Sequence, residues 1–205
     1  MRTQIQKATN TYRVLAAGLV LFVASFAIAQ TATAQVYRVQ SYTMKVSGTS
    51  NLHDWDMKVL NASTSASFTL KANSPLMIAD LNDLSFSVPV KGLKSEHDLM
   101  DSRAYSTLNA DKNPTISFKM GSAEVAAQGN NQYVIKAHGN LTFNGKTKPV
   151  VLTTKGVLNA DKSITVTGQQ KIKMSEWGVK PPSFMLGALK VGDQVTVDFN
   201  MKFVN

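Results

Sequence analysis

The stretch Gly139–Val150, GNLTFNGKTKPV, decides how this chain is read. Two alternating runs meet in it at Asn144-Gly145, the dipeptide best suited to a two-residue type I′ hairpin, because both central residues must take positive φ. Upstream, Tyr133, Ile135, Ala137, Gly139, Leu141 and Phe143 share one face, while Gln132, Lys136, His138, Asn140 and Thr142 mostly fill the other. Downstream, β-branched residues dominate from Thr147 to Thr154, which favours a strand. Pro149 cannot donate to a ladder, so it belongs at a strand start or on an edge facing no neighbour. A β-hairpin with one dry face is expected.

Outward from this hairpin the same period of two recurs, separated by turn residues. Tyr42, Met44 and Val46 alternate with Thr43, Lys45 and Ser47, and after Gly48–Asn51 the residues Trp55, Met57 and Val59 alternate with Asp54, Asp56 and Lys58. Ala62, Thr64, Ala66, Phe68 and Leu70 form the most regular run, and a turn near Asn73-Ser74-Pro75 leads to Leu84, Phe86, Val88 and Val90. The alternation breaks over residues 95–109, where Ser95 followed by Asp98 resembles a helix start and Leu99, Met100, Arg103, Ala104 and Leu108 fall at helical spacing. Asn113-Pro114 ends that excursion. A strand then opens at Ile116 and Phe118, the Gln128–Asn131 turn leads to the central hairpin, and another turn at Asn159–Lys162 precedes a run from Ile164 to Met174. Residues 177–193 form a long apolar loop of the kind that is functional or packed as a lid. The last strand places Val195, Val197, Phe199, Met201 and Phe203 on one side. About eight strands and one short helix in a single antiparallel β-barrel satisfy this pattern, with inward and outward residues alternating along each strand.

The N-terminus reads differently. Arg2, Lys7 and Arg13 precede an uncharged apolar run from Val14 to Ala29, followed by small-residue triplets at 27–29 and 32–34. That is the pattern of a secretory signal peptide over residues 1–34, cleaved after Ala29 or Ala34, leaving a domain over 35–205. The run is shorter than the about 20 apolar residues a membrane span needs. The product is expected to be periplasmic or secreted, with no stable membrane anchor. There is no cysteine, which excludes a lipid-modified cysteine, disulfides and thiolate metal sites. The formal charge of +9 falls to +6 once the three basic leader residues are removed, leaving 19 basic against 13 acidic side chains. The lysines are scattered singly along the outward faces, at Lys45, Lys58, Lys71, Lys119, Lys136, Lys155 and Lys202. A nucleic-acid surface would interleave aromatics with such a stripe, and here they lie on the opposite face, so no nucleic-acid partner is expected.

Three stretches resemble the YceI-like family, exported proteins with a lipocalin-like antiparallel β-barrel that bind a polyisoprenoid lipid. They are Gly139–Val150 as G-x-L-T-x-x-G-x-T-K-P-V, Leu99–Phe118 with its N-P-T-I-S-F ending, and Val191–Val195 before the last strand. The segment Ser50–Trp55, SNLHDW, looks like a variant found in a subset of such proteins. The resemblance implies a non-enzymatic binding protein that holds a polyisoprenoid, quinone-like or similar long-chain lipid for transport, storage or sequestration, the lipid being a ligand and not a cofactor.

The residues themselves support part of this. Phe68, Leu70, Phe86, Val88, Ile116, Phe118, Leu141, Phe143, Val197 and Phe199 would make a lumen too apolar for water. Such a barrel is filled either by a greasy ligand or by its own side chains. The second outcome would make this a structural or stress-related interaction barrel, and the small residues Ala62, Ala66, Ala137, Gly139 and Gly168 favour residual space. His53, Trp55, Trp177, Phe184 and Met185 are candidates for the barrel mouth or a head-group site. His53, His97 and His138 show no ligand spacing, so no metal site is expected. No G-x-S-x-G turn or glycine-rich phosphate loop occurs, and no catalytic residue is assigned.

Overall fold

The computed structural model describes residues 34–71 and 76–205. Residues 1–33 of the expected signal peptide and the Asn73-Ser74-Pro75 turn lie outside the described residues. Eleven strands form one sheet: β1 Ala34–Ser50, β2 Trp55–Val59, β3 Ser63–Lys71, β4 Met77–Pro89, β5 Leu93–Lys94, β6 Thr115–Gly129, β7 Gln132–Phe143, β8 Lys146–Leu158, β9 Ile164–Lys173, β10 Ser183–Phe184 and β11 Leu189–Val204. Among the described residues one α-helix, α1 Asp98–Thr107, interrupts them. Eight of the strands close on themselves in the order β1-β3-β4-β6-β7-β8-β9-β11, with β11 pairing back to β1, so the wall is an antiparallel eight-stranded barrel. The short strands β2 and β5 extend the wall beside the second half of β1, where Gly48 pairs with Trp55 and Val59 with Leu93.

The central hairpin forms as its sequence demands. Asn144 and Gly145 take φ of 48° and 70°, and Phe143 pairs with Lys146 across them. Counting from that hydrogen-bonded closing pair, the Asn140–Pro149 pair is non-hydrogen-bonded, so the nitrogen of Pro149 points away from β7. On that side β8 pairs with β9 only from Thr154 onward, and the missing proton leaves no ladder broken.

Three elements run further than alternation suggests. β1 begins at Ala34, eight residues before Tyr42, and pairs with β3 through Ala34–Arg38. β4 begins at Met77, where register shifts against β3 put Ile78 and Leu81 inward and break the period of two before it resumes at Leu84. The apolar connection after Trp177 is not loop throughout: Ser183 pairs with Lys190 and Phe184 with Leu189, so β10 and β11 form a hairpin and the last strand starts at Leu189.

The two barrel ends differ. At one end Tyr37, Phe68, Ile164 and Phe203 are almost completely buried, with Tyr37 edge-on to Phe68 at 5.4 Å and Phe68 against Phe203 at 5.9 Å. There the Ile78 amide, left without a β6 partner, donates to the Tyr133 hydroxyl at 3.1 Å. The other end carries α1, the β1–β2 loop and the β10–β11 hairpin. The start of α1 is organised by Asp101 and not by Asp98: its carboxylate accepts the Ser95 amide at 2.7 Å and the Ser95 hydroxyl at 2.8 Å, and pairs with Lys94 at 3.0 Å. His97 is the residue at the cap, with no side-chain cap bond.

Candidate functional site

Between the plugged end and α1 the barrel encloses a cavity of about 440 Å³, within the range of small-molecule sites. Phe68 and Phe203 form its floor, and β11 lines its height through Leu189, Val191, Val195, Val197, Phe199 and Met201. Across from it stand Leu84, Phe86 and Val88 of β4 and Ile135, Ala137, Leu141 and Phe143 of β7, while Ile172 of β9 lies beside Val195. The wall is apolar because these are the inward positions of alternating strands. The Thr154 hydroxyl, which also faces inward, donates to the Ile135 carbonyl at 3.3 Å.

Most polar groups of the site gather at the α1 end. His53, His97, Arg103 and Thr107 contribute to the lining, and no carboxylate does. Ser50 is there too, but its hydroxyl donates to the His53 carbonyl at 2.7 Å and accepts the amides of Leu52 and His53, which makes it a turn-former with no base to activate it. His53 Nδ1 lies 2.8 Å from the Asp54 carbonyl oxygen; a carbonyl only accepts, so this nitrogen carries the proton and Nε2 is the acceptor. The Arg103 guanidinium sits 4.2 Å above the Phe184 ring, which ties α1 to the β10–β11 hairpin. Asn51 holds the third segment in place, donating from Nδ2 to the Ala188 carbonyl and accepting the Lys190 amide at Oδ1, both at 2.8 Å. Among the described residues no group of three His, Cys, Asp or Glu side chains could hold a metal ion. His138 lies on the outer face beside Glu124, 3.3 Å away.

Of the lining residues expected from sequence, Phe68, Phe86, Val88, Ile116, Leu141, Phe143, Val197 and Phe199 reach the cavity. Leu70 and Phe118 do not. Leu70 lies beyond the Thr69/Leu70 register shift, opposite Ile78, toward the plugged end. Phe118 stacks on Phe86 at 5.4 Å and 15° and is 1 % exposed, so its ring is wall and not surface. At the mouth, His53, Trp55 and Phe184 line the cavity. Trp177 instead packs behind Phe143 at 5.9 Å, with its carbonyl accepting from Asn144. Met185 points out to solvent.

The small residues also need correcting. A Cβ on Gly139 would fall 2.5 Å from the Phe118 ring, one on Gly168 2.4 Å from Phe199, and one on Gly48 2.3 Å from Trp55. These glycines are slots for aromatic rings, and of the five small residues only Ala137 borders the cavity. Arg103, Ala104, Met44, Val46 and Ile172 were not singled out as site residues, yet all line it. The helical spacing of Met100, Arg103, Ala104 and Thr107 and the alternation of Met44 with Val46 were the available signals.

The model of the YceI-like domain family matches residues 26–203, nearly the whole of the described barrel. The chain belongs to the YceI-like family. A protein of Pseudomonas aeruginosa designated UPF0312 is 29 % identical over 121 residues, covering 56 % of this chain, and the chain spans 59 % of that relative's length. Among solved structures, BcnA of Burkholderia cenocepacia superposes with a TM-score of 0.59 at 18 % identity, over 78 % of this chain and 95 % of that one. A polyisoprenoid-binding domain from Saccharophagus degradans, implicated in plant cell wall breakdown, superposes at 0.58 and 8 % identity over 84 % and 98 %. At these identities the superpositions speak to the fold.

Proposed function

We propose that this protein is a non-enzymatic carrier that holds one long-chain isoprenoid lipid inside its barrel, outside the cytoplasm. The observation that carries this is the apolar cavity of about 440 Å³ with polar groups gathered at one end. A side-chain-filled core would close that space, because protein interiors pack to crystal-like density. Burying an apolar tail removes its surface from water at roughly 25 cal/mol per Å², while at the mouth a hydroxyl can donate to His53 Nε2 and a carbonyl or phosphate can accept from Arg103. Membership of the YceI-like family and the fold shared with a polyisoprenoid-binding domain support the same ligand class.

Organic extraction of the purified protein followed by mass spectrometry tests the ligand: one isoprenoid per chain is expected, and a lipid-free protein that takes up none on incubation contradicts it. Export is tested by intact mass on protein from the native envelope. A start at Gln30 or Gln35 is expected, and either leaves Tyr37 and its pairing with Ala66 intact. A mature chain retaining residues 14–29 would rule out the unanchored carrier.

A further inference from the structure

The β10–β11 hairpin turns through Met185, Leu186 and Gly187, with φ of 54°, 54° and 94°. That left-handed region crowds a Cβ against the next carbonyl and favours Gly and Asn. The rest of the described barrel follows the rule: five of its six other non-glycine residues with positive φ are asparagines and the sixth is Lys162, so the only apolar ones are Met185 and Leu186. Packing does not explain them, because Met185 is 74 % exposed and Leu186 is 110 %, as bare as an isolated residue. Neither lines the cavity.

Two more bare leucines stand on the same rim. Leu52 is 67 % exposed and Leu99 63 %. Leu52 follows Asn51, which is bonded to both Ala188 and Lys190, and Leu99 lies one helical turn before the Arg103 that covers Phe184. Single exposed apolar residues are ordinary. Four of them, from three segments converging on one opening, with two held against backbone preference, mark a surface that leaves water in use. Lys180 and Lys190 flank the hairpin turn, both exposed, and Arg103 reaches over Phe184 of the hairpin, while Asp54, Glu96 and Asp98 belong to the other two rim segments, so positive charge gathers at the hairpin.

We propose that this rim docks on an anionic lipid bilayer: Met185 and Leu186 enter the interfacial layer, Lys180 and Lys190 meet the headgroups, and the cavity mouth opens onto the lipid it exchanges. Its purpose rests on the lipid-carrier reading, but the docking itself is measured separately. Flotation of the mature protein with vesicles of phosphatidylcholine and phosphatidylglycerol, compared with phosphatidylcholine alone, reads it out. Wild type is expected to float, more strongly with phosphatidylglycerol. The double substitution M185N/L186N should reduce partitioning at least about tenfold, since two large apolar side chains no longer leave water. It should also melt no lower than wild type, because asparagine suits the turn, and should bind a prenyl alcohol delivered from detergent as wild type does. K180E/K190E should abolish only the preference for phosphatidylglycerol. Docking is overturned if wild type does not float, if M185N/L186N floats equally well, or if the wild type is a dimer that M185N/L186N dissociates, which would make a second copy the occupant. Flotation without prenyl alcohol uptake would leave docking standing and remove the carrier reading instead.

Discussion

The ring of Phe118 occupies the space above Gly139, so closely that a Cβ at position 139 would sit 2.5 Å from the ring and 2.4 Å from the Lys119 carbonyl. The ring then stacks face to face on Phe86, which does border the cavity. Gly139→Ala therefore pushes against backbone on one side and an aromatic stack on the other, and should cost about 1–3 kcal/mol as an overpacked site. Phe118→Ala should cost about 3–5 kcal/mol, and Phe118→Asp should not fold. Thermal melts check all three; unchanged melting of Gly139→Ala would show that the ring has room to move.

Ala137 separates a hollow barrel from a filled one. Its methyl group borders the cavity while its backbone is fixed between β6 and β8. Ala137→Phe places a ring in the cavity, and the lipid-free protein should melt at or above the wild-type temperature while long-tail affinity falls at least about tenfold. In a packed core the same change would overfill and cost about 1–3 kcal/mol. Differential scanning calorimetry with a lipid titration distinguishes the two.

Acid should loosen α1. Burial alone would raise the Asp101 carboxyl, but the amide and hydroxyl of Ser95 and the Lys94 ammonium together hold it below 3.8. A carboxyl lowered on folding stabilises fully above its unfolded value and loses that contribution as pH falls through its folded value. Order in α1 should therefore decline below about pH 4. Asp101→Asn should remove that pH dependence and cost about 1–3 kcal/mol near neutrality, because a buried acceptor site keeps its shape but loses its charge. At the plugged end, the Ser163 hydroxyl and amide and Lys202 likewise hold Asp161 down, to about 2. Hydrogen exchange of residues 95–108 against pH reads this directly; protection that stays unchanged well below the ordinary carboxylate range would contradict it.

Much of the wall was legible because period two is a direct statement of which side chains face inward. Phe86 and Phe118 carry the same sequence signal, however, and only one meets the cavity: which inward ring lies on the surface depends on the neighbour beneath it, here Gly139 on a different strand. The same non-local fact turned Gly168, which looked like spare volume, into the slot for Phe199. The start of β4 was hidden by the register shifts that place Ile78 and Leu81 three residues apart. β10 was hidden because a two-residue strand has no period to read. Arg103 was visible on its helix, but its position over Phe184 came only from the packing of α1 on the hairpin.

Tail length is the most direct measure of whether this barrel carries lipid. Each buried methylene contributes about 0.8 kcal/mol, so one five-carbon isoprene unit is worth roughly 3–4 kcal/mol before losses. Association costs on the order of 4–15 kcal/mol, so a single unit should hardly bind. Micromolar affinity needs about −8 kcal/mol net, which some three to six buried units would supply. Replacing His53 by Ala should shift the whole series by only about 0.5–1.5 kcal/mol, the net worth of one head-group hydrogen bond. Titration of prenyl alcohols of increasing length into delipidated protein should give affinity that rises steeply with each unit and levels off once the cavity is full. Affinity that stays flat from the shortest alcohol to the longest would contradict a lipid carrier and leave a barrel whose cavity serves no tail.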